Sequence, residues 1–224
     1  MSISVVALVP MRHSSERVPG KNYRSFNGKP LFHHIVEMLL EVKHVERIVI
    51  DTDSDTVRKQ CETHFPMVAC IDRPAHLLGG DVPMTRILQH DAAVFPSEWY
   101  LQTHSTNPLL TSETVERALD ALAVDEHGHD SILGVTRLHT RLFDSQGRPI
   151  NHDPDVLLRT QDLPPIFEEN SNLYVFRNDQ IQRGRRTGVA PYLFEIDALE
   201  AIDIDEESDF IIAEAVQRLK LGSA

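Results

Sequence analysis

An α/β fold, with a mostly parallel sheet and helices on both faces, is what this sequence predicts, and three observations predict it. Short runs rich in Val and Ile alternate with segments of helical periodicity along the chain, the order expected when helices join and cover parallel strands. The 224 residues, 41% of them hydrophobic, suit one domain with a sizeable core. The first strand runs straight into a turn-rich basic loop, as it does where an open α/β sheet binds ligand beyond the carboxyl ends of its strands.

Ile3-Ser4-Val5-Val6-Ala7-Leu8-Val9 reads as the first strand, and Pro10 to Asn22 as the loop. Pro30 opens a helix on which Leu31, Ile35, Leu39 and Val42 share a face. Arg47 to Ile50 is the second strand, ending in Asp51-Thr52-Asp53-Ser54, and Asp55 to His64 a short helix. Val68 to Ile71 is the third strand, closed by Asp72-Arg73-Pro74. A helix from Pro83 to Val94 leads to a central strand, Trp99 to Gln102. Thr111 or Ser112 caps the next helix, which carries Glu113 and Glu116 near its start and Val115, Leu119 and Leu122 on its apolar face. Ser131 to Val135 is again a strand. From Arg137 to about Glu169, Gly147, Pro149, Pro154, Pro164 and Pro165 interrupt every period, and segments this long serve a function or an interface. Strands follow at 172–176, 193–196 and 201–204, and Ser208 caps a last helix with an apolar face of Ile211, Ile212, Ala215, Val216 and Leu219.

The formal net charge is −12. Residues 1–30 nevertheless carry Arg12, Arg17, Lys21, Arg24 and Lys29 against Glu16 alone, so this segment is +4 and the remainder −16. An acidic protein that collects its positive charge in one loop holds an anion there, and a polyphosphate fits. The acidity argues against nucleic acid and anionic membranes as partners. No segment approaches the roughly 20 apolar residues of a membrane span. The amino terminus lacks a charged leader and its apolar run stops at Pro10, so no signal peptide is expected. Cys61 and Cys70 make neither a CxxC pair nor a disulfide framework, which fits a reducing cytoplasm. The twelve histidines show no zinc-ligand spacing.

The loop is neither a P-loop nor a dinucleotide fingerprint. Pro10-Met11-Arg12-His13-Ser14-Ser15-Glu16-Arg17-Val18-Pro19-Gly20-Lys21-Asn22 instead resembles the signature of the CMP-sugar cytidylyltransferases that activate acylneuraminates and 3-deoxy-octulosonate. The resemblance continues through Gly28-Lys29-Pro30-Leu31, Thr52-Asp53-Ser54, Arg73-Pro74, Leu101-Gln102, Asn107-Pro108-Leu109, Asn170 to Tyr174 and Ile202-Asp203-Ile204-Asp205, in order along nearly the whole chain. It implies one Rossmann-like, doubly wound domain of nucleotide-diphospho-sugar transferase type over residues 1–224, with 137–169 as a dimerisation arm in a homodimer.

The implied reaction is transfer of CMP from CTP to the anomeric hydroxyl of a small acidic sugar, releasing pyrophosphate. The resemblance assigns Arg12, Ser15, Arg17 and Lys21 to the CTP triphosphate, Asn22 and Arg73 to the cytosine, and Asp81 to closing that pocket. It assigns Gln102, Arg159, Asn170 and Tyr174 to the sugar, and Asp203 and Asp205 to Mg²⁺. Arg12, Lys21 and Asp203 are thereby the catalytic set. Paired carboxylates two residues apart suit a hard cation, although Glu206, Glu207 and Asp209 make a solvated acidic patch the other reading. The pattern departs at Glu16, where the family carries lysine, at a longer Gln102 loop containing His104, and at Glu168, where sialate enzymes carry arginine. These departures bear on the sugar more than on the reaction. Transfer involving another sugar or nucleotide, and a silent nucleotide-binding relative, stay open as alternatives.

Overall fold

Val5, Ala7 and Val9 point to one side of the first strand and Val6 and Leu8 to the other, and all five are buried. A strand buried on both faces requires helices above and below it. The computed structural model describes residues 3–222 and supplies them. In chain order the elements are β1 (Val5–Leu8), a small hairpin of β2 (Ser25–Phe26) and β3 (Lys29–Pro30), α1 (Leu31–Glu41), β4 (Val45–Thr52), α2 (Asp55–His64), β5 (Ala69–Asp72), α3 (Met84–Val94), β6 (Trp99–Gln102), α4 (Ser112–Ala123), β7 (Ser131–Leu138), β8 (Ile166–Arg177), α5 (Asn178–Gln182), β9 (Pro191–Glu195) and α6 (Glu207–Gly222).

Seven strands form one sheet in the order β5-β4-β1-β6-β8-β7-β9. β8 alone runs against its neighbours, pairing antiparallel with β6 and β7, while every other pairing in this sheet is parallel. The mostly parallel, doubly wound sheet expected from the sequence is present. Phe32, Ile35 and Leu39 of α1, Val57 of α2, and Val115 and Leu119 of α4 pack on one face. Leu88 and Ala92 of α3 and Ile181 of α5 pack on the other. Phe210 and Ala213 of α6 join Val18, Phe26, Leu31 and Ile204 in a third cluster, which fastens the basic loop to the carboxy-terminal part of the chain. Thr111 caps α4, its hydroxyl accepting from the Thr114 amide at 3.3 Å.

Several boundaries differ from the sequence expectation. Residues 201–204 form no strand: Ile204 N donates to the Thr106 carbonyl at 2.9 Å and the Asn107 amide to the Ile202 carbonyl at 3.4 Å, so loop 103–110 satisfies this backbone in place of a ladder. Ser208 lies inside α6, because Asp209 Oδ2 accepts from the backbone N–H of Asp205 and Glu206 and so starts the helix earlier. The predicted apolar face of α6 turns partly outward, with Ile211 and Ile212 exposed; Phe210 and Ala213 make the contact instead.

β7 and β8 extend beyond the segments read from sequence and pair out to Leu138 and Ile166. The excursion is therefore 139–165, an arm on a long antiparallel stem. Asn151 knits the arm, accepting from Leu142 N at 2.9 Å and donating to the Thr140 carbonyl at 2.8 Å. Its outer surface carries exposed Phe143, Ile150, Val156 and Leu157. At the base of the stem the register shifts between Leu133 and Val135, and Ser171 takes φ 54°. A Cβ on the intervening Gly134 would sit 3.0 Å from the Leu173 carbonyl, a close backbone approach that favours glycine there.

Candidate active site

Loop 10–22 leaves β1 at the carboxyl edge of the sheet and is tied down on the β4 side. Met11 bridges to Thr52, His13 N donates to Asp53 Oδ1 at 2.6 Å, and His13 Nδ1 meets Ser54 Oγ at 2.8 Å. Ser54 also caps α2, so one short segment ends a strand, starts a helix and anchors the loop. Gly20, at φ 67°, turns the chain into a short 3₁₀ turn, Lys21–Tyr23.

Lys21 and Asn22 then point back under the loop. Lys21 Nζ donates to the Ile204 carbonyl at 2.5 Å and lies 3.7 Å from Asp205 Oδ1. The buried Asn22 donates through Nδ2 to the Arg12 carbonyl at 2.6 Å and accepts from Ser105 Oγ at 2.7 Å. One N–H and one lone pair of that amide are left over.

These elements enclose a cavity of about 570 Å³. Of the residues singled out in the sequence, Arg12, Ser15, Arg17, Lys21, Asn22, Arg73, Asp203 and Asp205 line it. The basic loop and the acidic segment thus meet across one space although some 180 residues separate them. Arg17 Nη2 lies 2.9 Å from Asp205 Oδ1, and both side chains are more than half exposed. An exposed pair of this kind contributes about 0–1 kcal/mol and exchanges readily for a phosphate oxygen. Burial lowers the Lys21 pKa, and Asp205 and Asp203 pull it back up. Burial likewise raises the Asp203 pKa, opposed by a hydrogen bond with Thr106 and assisted by the neighbouring Asp205.

Asp203 Oδ1 is buried and has no hydrogen-bond partner. A bare buried oxygen beside a second carboxylate fits a hard divalent cation, whose remaining ligands would be water and phosphate oxygens. The donor set therefore suits Mg²⁺.

Arg73 is fixed from behind. Its Nε bonds Asp51 Oδ1, and its Nη2 bonds the Asp51 carbonyl at 3.1 Å; both residues are buried. The Nη1 corner of the fork remains for a ligand.

A second cavity of about 340 Å³ shares Ser171 and Asp203 with the first and is lined also by Asn170, Glu168 and Glu169. Asn170 Nδ2 bonds Thr136 Oγ1 at 3.2 Å. Gln102 and Tyr174 line neither cavity directly and instead form the wall behind them. That wall is organised by Arg186, which sequence reasoning missed. Its guanidinium stacks 3.9 Å above the Tyr174 ring, Nη1 donates to Gln102 Oε1 at 3.1 Å, and Nη2 lies 3.5 Å from Glu169 Oε1.

Because arginine only donates, this contact orients the Gln102 amide, so its Nε2 donates to His104 Nε2 at 2.7 Å. His104 accepts there and is neutral: burial, then Arg186 and Lys21, depress its pKa to about 4. The Tyr174 hydroxyl donates to Glu169, and its pKa rises to about 12, chiefly through burial. The only sequence signal for Arg186 is the basic run Arg183-Gly184-Arg185-Arg186.

Two singled-out residues stand outside. Asp81 is exposed beside the cavity rim, whereas its neighbours Gly80 and Val82 line the space. Arg159 lies on the arm, 73% exposed and bonded to Asp162 at 2.7 Å.

A family model described as cytidylyltransferase matches residues 6–221. The chain belongs to the cytidylyltransferase family. It is 28% identical to the CMP-N,N'-diacetyllegionaminic acid synthase of Legionella pneumophila, over 96% of this chain and 97% of that protein. It is 24% identical to the N-acylneuraminate cytidylyltransferase of Oncorhynchus mykiss, over 94% of this chain and 49% of the longer relative. Among solved structures, a CMP:2-keto-3-deoxy-manno-octonic acid synthetase complexed with CTP superposes with TM-score 0.72 at 15% identity, covering 97% of this chain and 99% of that one. The 4-diphosphocytidyl-2C-methyl-D-erythritol synthase of Anaerococcus prevotii gives 0.66 at 12% identity, covering 96% of each. Among the described residues no helix is long and apolar enough to cross a membrane.

Proposed function

We propose that the chain transfers CMP from CTP to the anomeric hydroxyl of an acidic, nonulosonate-like sugar and releases pyrophosphate. The observation that carries this reading is the convergence of Arg12, Arg17 and Lys21 with Asp203 and Asp205 on one cavity. Cations alone would bind a triphosphate; cations facing a carboxylate pair also provide for charge that moves during phosphoryl transfer.

In this scheme the sugar hydroxyl oxygen bonds to the α-phosphorus while the bond from that phosphorus to the α,β-bridging oxygen breaks. The hydroxyl proton is lost and pyrophosphate departs. Arg12, Ser15, Arg17 and Lys21 hold the triphosphate and neutralise the leaving group. Asn22 and Arg73, with one free amide N–H and one free guanidinium corner, read the pyrimidine edge, and Asp81 closes over it. Mg²⁺ held by Asp203 and Asp205 would supply neutralisation at the α-phosphate and ease loss of the hydroxyl proton.

On the acceptor side Gln102, Asn170 and Tyr174 position hydroxyl and amide groups of the sugar. Arg186 lines the first cavity and reaches Glu169, which lines the second, so its guanidinium suits the sugar carboxylate. Arg159, on the arm, would contribute through the homodimer that the exposed apolar residues of 139–165 support. We place the enzyme in the cytoplasm, where its nucleotide substrate is made and free thiols persist.

The test is calorimetric titration with CTP, UTP, ATP and GTP, each with and without Mg²⁺. CTP selectivity is expected. Equal binding of all four, or of none, would refute the nucleotide assignment. Pyrophosphate release with N,N'-diacetyllegionaminate, N-acetylneuraminate and 3-deoxy-manno-octulosonate then ranks the acceptors.

A further inference from the structure

Asp51 is the last but one residue of β4. It shares a strand face with Val49, which packs against Leu88 and Ala92 of α3. Asp91 lies on α3 between those two helix residues, so the helix brings it onto the same face. Both aspartates are fully buried. Asp51 Oδ1 and its main-chain carbonyl are used by Arg73, yet Asp51 Oδ2 and both oxygens of Asp91 are buried with no hydrogen-bond partner. Oxygens of the two carboxyls and a nitrogen of His90 lie within 4.8 Å of one another.

Two ionised carboxylates sealed against one guanidinium would leave an uncompensated negative charge in an apolar layer, with three oxygens bare. A single proton relieves all of this: a neutral Asp91 can donate to Asp51 Oδ2, and Asp51 keeps its full charge for Arg73. The charged and titratable groups facing Asp91 are Asp51 from β4, Arg73 from the turn after β5, and its neighbour His90; the rest of that layer is hydrophobic, and the hydroxyls of its two tyrosines are bonded elsewhere, Tyr100 to the Ala92 and Phe95 carbonyls and Tyr174 to Glu169. Burial first, and the Asp51 charge second, push the Asp91 carboxyl up to about 9. A divalent cation with His90 as a third ligand would also neutralise the pair. The guanidinium already bonded to Asp51 opposes it.

We propose that Asp91 is a positioning residue for nucleotide recognition: as a neutral acid it donates its proton to Asp51, and the Asp51 carboxylate so held fixes the Arg73 fork at the wall of the nucleotide cavity. This rests on the reading above, in which Arg73 meets the base. It explains why α3, which borders the cavity through Met84 and Ile87, carries a buried acid that does not line it, and it makes CTP affinity depend on one proton that never touches CTP.

Infrared spectra and CTP calorimetry on the whole protein test it together. Wild type at neutral pH should show a protonated-carboxyl stretch that Asp91→Asn removes. Wild-type CTP affinity should fall by about tenfold as pH rises through about 9 and the two carboxylates come to repel each other. Asp91→Asn keeps a donor to Asp51, so it should bind CTP as wild type does near pH 7 and show a shallower high-pH decline, set only by loss of the Lys21 proton, whose pKa burial lowers. Asp91→Leu should weaken CTP by about tenfold already at neutral pH and narrow the preference over UTP.

Absence of the acid band in wild type overturns the proposal whatever Asp91→Leu does, including failure to fold. So does a folded Asp91→Leu that binds CTP normally, or a metal found at one equivalent and lost with Asp91→Asn. A wild type with the acid band that binds no CTP refutes the nucleotide reading itself, and the positioning role with it. A missing band with normal CTP binding refutes this proposal alone.

Discussion

Replacing Lys21 with Met removes one ammonium and keeps the length of the stem. In the free protein the side chain is 12% exposed, and its ammonium donates to the Ile204 carbonyl at 2.5 Å and lies 3.7 Å from Asp205. A hydrogen bond from a charged donor is worth about 1.5–3 kcal/mol, but burial of the ammonium, the main cause of its lowered pKa, takes part of that back. The net loss of stability should therefore be about 0–1.5 kcal/mol, a melting shift of at most about 6 °C for a domain of this size. Triphosphate binding has no such offset, because the phosphate oxygens replace an exposed carboxylate as partner. Losing that contact should cost CTP affinity the full 1.5–3 kcal/mol or so, a rise in Kd of about 10- to 150-fold. Calorimetric titration of CTP into wild type and Lys21→Met at matched ionic strength reads the first quantity, and a thermal melt the second. A Kd within about threefold of wild type would refute the assignment of Lys21 to the triphosphate.

Three further outcomes follow from the same geometry. Asp203→Asn with Asp205→Asn should abolish pyrophosphate release while circular dichroism stays native; residual turnover above about 1% of wild type would remove the pair from the reaction. His104 has a folded-state pKa of about 4, below its value in the unfolded chain, so the unfolded state takes up the proton first as pH falls. Stability should be fully present above about pH 6.5 and drop by some 2–3 kcal/mol toward about pH 4; urea melts of His104→Gln should lack that slope. On the proposed homodimer, Leu157→Asp, at a side chain 89% exposed on the arm, should give a folded monomer where wild type gives a dimer in light scattering, and a monomeric wild type would refute the dimer. An unchanged dimer would move the interface elsewhere.

Much of the site was legible because its signals are local. Loop 10–22 stands out by charge density and turn residues, whereas Asp203 and Asp205 were separated from the acidic run around them by the family resemblance and not by spacing alone. What stayed hidden depends on partners far away in sequence. Arg186 is one arginine of a basic run until β8 brings Tyr174 beneath its guanidinium and Gln102 within 3.1 Å. The resemblance singles out Arg73, but nothing local shows that Asp51, 22 residues earlier, holds and buries it. The strand expected at 201–204 failed for a related reason: its apolar alternation is real, with Ile204 fully buried, but the groups that satisfy its backbone belong to loop 103–110.

Alternating apolar runs, turn residues and one basic loop were enough by themselves to specify the α/β sheet and most of its elements in order, and to point to the end where we propose that ligand binds. Those features are written in neighbouring residues and follow from burial and backbone geometry alone. The tertiary structure decided which charges face one another: Lys21 with Asp205, Arg73 with Asp51, Arg186 with Glu169, and Asp91 with nothing but a shared proton. Whether a side chain is solvated or sealed, and therefore whether its charge is spent or available, depends on what the fold packs against it, and no stretch of sequence carries that.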